Sequence, residues 1–360
     1  MKILSVVGAR PQFIKLSALS KEIRKLDEEV IVHTGQHYDY EMSQSFFESL
    51  GIPEPLHNLE VGSGTPAEQI GNIVIKLSKM LDEIDPDIVL TYGDTNSTIG
   101  AALAALKAGY PSAHVEAGLR SFNREMPEEI NRILTDRISN ILFCPTPTRV
   151  DNLAREGITR YVFLIGDVMI DALLLSSQVA LQQSKIMAKL GLSEKSYLVA
   201  TIHRESNTDI RENLGRIVNA MISSGEKIVF PVHPRTEKML REFGLLGRLQ
   251  QASNILITKP LGYLDFLRLM MSANKILTDS GGIQKEAYVL KIPCITARED
   301  TEWNETIQEG WNILVGTDEK KISEAIIGFN PTGKQKFSFG DGKTSIKIAQ
   351  ILHKGLKELV

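Results

Sequence analysis

Cysteine is nearly absent from this chain: two residues in 360, Cys144 and Cys294, each inside an apolar run. Thiols so placed build no disulfide framework, and neither has a Cys-x-x-Cys or zinc-type partner, so buried structural thiols are expected. Long apolar runs are missing as well. Nothing approaches the ~18 residues that a membrane span needs, and the opening MKILSVVG reads as a short strand rather than a signal peptide. A cytoplasmic-type protein is the expectation. Charge of one sign is also lacking. With 41 Lys and Arg against 44 Asp and Glu, the net charge of -3 offers no general attraction for nucleic acid or an acidic membrane, so any phosphate recognition must be local. Neither internal repeat, coiled coil nor low-complexity tract is visible.

What the chain has is alternation. Short apolar runs at 2–7, 30–33, 88–92, 112–115 and 141–144 read as strands, with 161–165 as a further one, and helical patterns lie between them. A second series follows at 197–202, 227–231, 255–258, 275–278 and 293–296. Buried strands alternating with longer amphipathic helices predict an α/β protein with doubly wound parallel sheets. The stretch 171–195 is helical, polar and strandless, which predicts a crossing between two Rossmann-like domains, 1–170 and 171–343, with a last helix at 344–360. Two such domains would bring strand ends together around a central cleft.

Chemistry-bearing residues fall at the carboxyl ends of these strands. The run Asp279-Ser-Gly-Gly-Ile-Gln-Lys-Glu-Ala287 leaves a strand and opens a helix; Ser280, Gly281 and Gly282 would present backbone N–H groups and a helix dipole to a phosphate, with Glu286 one turn on for ribose hydroxyls. The alternative is a plain strand–helix turn with glycines for packing. Strand one ends in Gly-Ala-Arg-Pro-Gln-Phe-Ile-Lys, residues 8–15, without the Gly-x-Gly-x-x-Gly of a dinucleotide site. Arg10 and Lys15 put two cations at that helix mouth, suited to a diphosphate; a solvated basic turn is the rival reading. Asp94 follows the strand 88–92, Glu116 follows 112–115, and Glu128 and Glu129 open a helix behind Pro127, with Arg132 at i+4 from Glu128. Asp94 has the alternative role of an N-cap and the glutamates that of ordinary first-turn acids, whereas Glu116 makes a poor cap. Three carboxylates at one sheet edge would raise one another's pKa, as an acid or base near neutrality requires. His203 and His233 stand just after two strands of the second series, Phe266 lies near a helix start where it either joins the core or stacks on a base, and Arg298 follows the strand 293–296. His114 is placed inside its strand.

In order, GARPQFIK, HTGQH, YGDTNS, HVEAGLR, MPEEINR, TIHRESN, the HP pair 233–234, DSGGIQKEA and the TEW segment 301–303 resemble the non-hydrolysing UDP-N-acetylglucosamine 2-epimerases, over residues 1 to about 316. The resemblance implies a GT-B fold, with the last helix packing back on the first domain, and a UDP-sugar substrate. It implies catalysis without metal or redox cofactor: UDP is eliminated to give 2-acetamidoglucal, then re-added with the proton delivered to the opposite face. By resemblance Asp94, Glu116, Glu128 and His203 are the catalytic set. Arg10 contacts phosphate, Ser280, Gly281 and Gly282 form the diphosphate turn, Glu286 binds ribose, Phe266 lies near uracil, and Lys15, Arg132 and His233 lie close to the site. A homodimer is expected on the same ground. The TEW form resembles the branch acting on UDP-2,3-diacetamido-2,3-dideoxyglucuronate, whose carboxylate would want a cation such as Arg124 or Arg298. The segment 38–42 looks longer than in bacterial members that bind a second, activating UDP-N-acetylglucosamine, so such activation is not expected.

Three other readings compete. A hydrolysing epimerase differs only in whether water captures the intermediate. A GT-B glycosyltransferase needs an acceptor base rather than several acids around one carbon. A non-catalytic sugar-nucleotide module would tolerate loss of those acids, which are all present.

Overall fold

The protein is described by a computed structural model covering residues 1–36, 51–336 and 338–354. Among these residues thirteen strands form two sheets, every pairing parallel. The chain divides into two compact units, Met1–Leu175 with Phe339–Val360, and Ser176–Ser338. The division falls inside the helix Val168–Gln183.

The first unit holds β1 (Lys2–Val7), β2 (Glu28–His33), β3 (His57–Asn58), β4 (Ile88–Tyr92), β5 (Ser112–Val115), β6 (Ile141–Cys144) and β7 (Val162–Leu164), in the order β3-β2-β1-β4-β5-β6-β7. Successive side chains of a strand point to opposite faces, and β1 uses both. Ile3 and Val7 join a core with Phe13, Leu16 and Leu19 of the helix Arg10–Ile23 and with Ile348, Ala349 and Leu352 of the helix Thr344–Lys354. Leu4 and Val6 join the opposite core, against Ile73, Leu77 and Leu81 of the helix Pro66–Ile84 and Ala101, Ala104 and Ala105 of the helix Asn96–Ala108. The helix Pro66–Ile84 starts where it does because Thr65 and Glu68 form a reciprocal capping box and Pro66 needs no N–H partner.

The second unit holds β8 (Leu198–Thr201), β9 (Ile228–Pro231), β10 (Ile255–Thr258), β11 (Lys275–Thr278), β12 (Cys294–Thr296) and β13 (Asn312–Leu314), in the order β10-β9-β8-β11-β12-β13. Leu214, Ile217, Val218 and Met221 cover one face and Leu269, Met270 and Ala287 the other. Both sheets therefore share one winding pattern, with the strand order reversing between β1 and β4 and between β8 and β11. Ligands of such sheets bind beyond the strand carboxyl ends at those reversal points.

The strands read from the sequence are present, several trimmed by a residue at one or both ends, and β2 begins at Glu28, two residues before the run that announced it. Two were missed, β3 and β13. They span two and three residues, too few for a hydrophobic period, and β13 begins with the buried polar Asn312. Both cysteines are free and buried, and burial pushes each thiol up to about 12, which suits inert packing groups. No described helix is long and apolar enough to cross a membrane.

Candidate functional site

At the β1/β4 reversal point the sharp turn at Gly8 has a packing cause. A Cβ there would lie 1.9 Å from Thr34 Oγ1 and 2.2 Å from Ser97 Oγ. The N–H groups of Gly8 and Ala9 donate to the Gln12 side-chain oxygen at 2.7 and 3.0 Å, and Gln12 Nε2 donates to the Tyr92 carbonyl at 2.8 Å. This helix mouth is thus sealed by its own glutamine rather than left for a phosphate. Arg10 opens the helix and is exposed. Lys15 differs from a solvated first-turn cation: it is buried and pairs with Glu116. Burial lowers the Lys15 pKa, but Glu116, with Asp94 and Asp167, outweighs it, and the net shift is upward.

Glu116 ends β5 with a left-handed backbone, φ 76°, a conformation costly for a residue with a Cβ and concentrated at functional sites. Beside it, at the end of β4, Asp94 Oδ2 accepts from Arg132 Nε at 2.9 Å and from Arg132 Nη2 at 2.7 Å. Arg132 also donates to Glu129 at 2.9 Å. Of the carboxylates expected to crowd one another, Glu116 is matched by Lys15, and Asp94 and Glu129 share Arg132. Arg132 reaches Glu129 at i+3, not Glu128 at i+4, and Glu128 is exposed at the helix start. Glu129 is buried, accepting from the Ser121 and Phe122 N–H groups at 2.8 and 2.9 Å. Its burial opposes ionisation, yet these bonds and Arg132 hold its pKa below the usual glutamate value.

At the β8/β11 reversal point Asp279 is wholly buried. Its carboxylate accepts from the His203 N–H at 3.1 Å, the Arg204 N–H at 3.0 Å and Asn207 Nδ2 at 3.0 Å, and His203 Nδ1 lies 3.3 Å from it. These contacts aim His203 Nδ1 at the carboxylate and leave Nε2 for other partners. The His233 ring lies 5.7 Å from the His203 ring. His233 Nδ1 accepts from the Arg235 N–H at 3.2 Å as the N-cap of the helix Pro234–Glu242. Partial burial, His203 and Arg235 together lower the His233 pKa. The helix Gly281–Val289 begins at Ser280, which makes no side-chain cap bond. The Glu302 carboxylate lies against this first turn, its Oε1 1.9 Å from where a Cβ on Gly281 would stand. Glu286 and Phe266 are half-buried, Phe266 packing on the core beneath. Arg298 is mostly buried and already engaged, with Asp300 at 2.9 Å and Glu302 at 2.8 Å.

Sequence reasoning gave no role to Asp279 or Asp136, grouped Glu129 with Glu128 as an acid of the first turn, and placed His114 in its strand without function. The available signal was position: Asp279 closes β11, and residues 129, 132 and 136 share one helical face. Residues 37–42, on which the reading of an activating site rested, lie outside the described residues. Among the described residues no group of three or more His, Cys, Asp or Glu is arranged to hold a metal ion.

Comparison with known proteins settles the affiliation. Residues 21–353 match the family model described as UDP-N-acetylglucosamine 2-epimerase. The chain belongs to the UDP-N-acetylglucosamine 2-epimerase family. It is 54% identical to a UDP-N-acetylglucosamine 2-epimerase homolog of Methanococcus maripaludis, covering 98% of this chain and 99% of that one. It is 44% identical to the UDP-2,3-diacetamido-2,3-dideoxy-D-glucuronate 2-epimerase of Pseudomonas aeruginosa, over 98% and 100%. The solved UDP-GlcNAc 2-epimerase of Methanocaldococcus jannaschii superposes with a TM-score of 0.92 at 42% identity, over 99% of this chain and 100% of that one. A second structure of that protein, in complex with UDP-GlcNAc and UDP, gives 0.82 at 44% over the same shares. The family consists of UDP-sugar 2-epimerases, isomerase-type enzymes, and the GT-B-like fold of its solved members is the fold of this chain.

Proposed function

We propose that the protein interconverts UDP-N-acetylglucosamine and UDP-N-acetylmannosamine without net hydrolysis. The observation that carries the reading is the placement of Asp94 and Glu116 at the carboxyl ends of the paired strands β4 and β5, with Arg132 and Lys15 against them, in a chain of this family. Carbon 2 is not adjacent to a carbonyl, so its proton is too weakly acidic for simple removal. Elimination avoids the problem: a base takes the carbon 2 proton, the electron pair forms the carbon 1–carbon 2 double bond, and the carbon 1–oxygen bond breaks to release UDP. Re-addition of the diphosphate oxygen to carbon 1, with protonation of carbon 2 on the other face, completes the inversion.

Asp94 and Glu116 are assigned as the acid/base pair, and Glu128 as a holder of sugar or base. His203, aimed by Asp279, is assigned to the departing diphosphate together with Arg10 and the turn Ser280–Gly282, where donors aimed at developing charge have most effect. Glu286 is assigned to ribose, Phe266 to uracil, and Lys15, Arg132 and His233 to the surroundings of these groups. The reading includes a homodimer in the cytoplasm that supplies polysaccharide biosynthesis. Arg298 is already paired with two acids, so of the two cations considered for a glucuronate carboxylate the exposed Arg124 is the better placed.

The test is to incubate the purified chain with UDP-N-acetylglucosamine and resolve the products by anion exchange. UDP-N-acetylmannosamine is expected. UDP with free N-acetylmannosamine would identify the hydrolysing reaction, and turnover confined to the diacetamido-glucuronate substrate would move the chain to that branch.

A further inference from the structure

His114 stands in the middle of β5, with no exposed surface. A histidine there is costly unless both ring nitrogens find partners, and both do. Nε2 lies 2.7 Å from the Gly93 carbonyl oxygen, and Nδ1 lies 2.7 Å from Asp136 Oδ1. A carbonyl only accepts, so Nε2 carries a hydrogen; one further hydrogen lies between Nδ1 and the carboxylate.

Both ends of this bridge reach the turns that carry the assigned acid/base pair. Gly93 closes β4 with φ 64° and immediately precedes Asp94. Its N–H donates to the Val115 carbonyl at 3.0 Å while its carbonyl accepts from His114, so the peptide leading into Asp94 is gripped on both sides. At the other end, Asp136 Oδ2 accepts from the Gly118 N–H at 3.0 Å and from Arg120 Nη1 at 2.7 Å. Gly118, φ 80°, closes the turn begun by the strained Glu116. The helix Pro127–Ile138 that offers Asp136 to His114 also offers Arg132 to the Asp94 carboxylate, one turn earlier. An unbroken line of hydrogen bonds and short backbone links thus runs from Asp94 through Gly93, His114, Asp136 and Gly118 to Glu116.

We propose that His114 and Asp136 are positioning residues that hold the Asp94 and Glu116 turns at the separation proton transfer at carbon 2 requires. The proposal rests on the epimerase reading and extends it to two residues that touch no substrate. Small misplacements of reacting groups cost large factors in rate while leaving binding intact, so the bridge acts on kcat more than on KM.

Hydrogen-bond polarity supplies a test that simple core packing does not pass. In His114→Gln the amide nitrogen can donate to the Gly93 carbonyl, but its oxygen then faces the Asp136 carboxylate, acceptor against acceptor. In His114→Gln/Asp136→Asn the asparagine amide donates to the glutamine oxygen while its own oxygen keeps Gly118 and Arg120. Asp136→Asn alone is accommodated by loss of the hydrogen between Nδ1 and residue 136: the ring keeps its Nε2–H on the Gly93 carbonyl, and Nδ1 accepts from the asparagine amide. Solvent-deuterium incorporation at carbon 2, KM, UDP affinity by titration, and Tm are measured for the full chain and these three variants. The single glutamine variant is expected to lose about 100-fold in kcat, with KM and UDP affinity within about threefold. The double variant should regain about tenfold or more, and Asp136→Asn should stay within about tenfold of the unaltered chain. A double variant no faster than His114→Gln overturns the proposal. So does a loss of UDP affinity in step with kcat, or failure of both glutamine variants to fold, since each marks a merely structural histidine. An unaltered chain that exchanges no deuterium sinks the epimerase reading itself, and the positioning role with it.

Discussion

Asp279 illustrates how much a single buried carboxylate organises. An asparagine here, keeping its oxygen on the Arg204 N–H and Asn207 Nδ2, would set an amide N–H against the His203 N–H at the position Oδ1 now holds. Asp279→Asn is expected to cost about 1–3 kcal/mol of stability for the mismatched buried donors. It should also slow turnover at least tenfold, by an order-of-magnitude argument from lost orientation of His203; stability and kcat within error of the unaltered chain would contradict this. His233 gives a pH prediction. Its folded pKa is depressed from 6.5, so as pH falls below 6.5 the unfolded chain binds the proton first and this group lowers stability, until the folded ring protonates too. A proton NMR titration should place the His233 midpoint below 6.5, and a midpoint at or above it would refute the assigned surroundings. Of these residues His203 and His233 were legible as polar groups at strand ends. Asp279 was legible only as part of a motif, because its work is done on backbone N–H groups that no residue pattern reveals.

The helix Pro127–Ile138 is the element whose reading changed most. From sequence its first turn offers two acids behind a proline, with Arg132 on the same face at i+4 from Glu128. Folded, its inward face presents Glu129, Arg132 and Asp136 in turn to the 121–122 backbone, to Asp94 and to His114. The choice of Glu129 over Glu128 depends on where the 119–126 segment passes, a tertiary fact. Glu129→Gln is expected to destabilise the chain at neutral pH by about 2–3 kcal/mol, as loss of charge-assisted bonds does. The lowered Glu129 pKa means that this contribution is present above the unfolded value of 4.5 and is lost as pH falls through the folded one. The difference in stability between the two proteins should therefore shrink as pH falls below 4.5; a constant difference would refute it. Gly118 marks the turn facing this helix. A Cβ there would sit 2.4 Å from the Arg149 carbonyl oxygen with φ at 80°, so Gly118→Ala should lower stability by about 2–4 kcal/mol. An unchanged denaturant midpoint would contradict that.

At the scale of the whole chain the repeated strand–helix rhythm made the two parallel sheets readable, since buried parallel strands announce themselves as short apolar runs between helices. What the rhythm did not carry were the strands β3 and β13 and the buried bridges behind the strand ends. The polar strand-end residues pointed to acid/base groups and phosphate-binding turns, the motif resemblance joined them to the chemistry of UDP-sugar 2-epimerases, and the family comparison bears that resemblance out. The central claim is that inversion proceeds by exchange of the carbon 2 proton with solvent through groups of the first unit. The most direct test is to run the reaction on UDP-N-acetylglucosamine in deuterium oxide and follow carbon 2 by proton NMR, with Asp94→Asn alongside. The account predicts UDP-N-acetylmannosamine carrying solvent deuterium at carbon 2 from the unaltered chain, and no exchange but nearly unchanged UDP affinity from the variant. Epimer that keeps its original hydrogen, or near-normal exchange by Asp94→Asn, would contradict it.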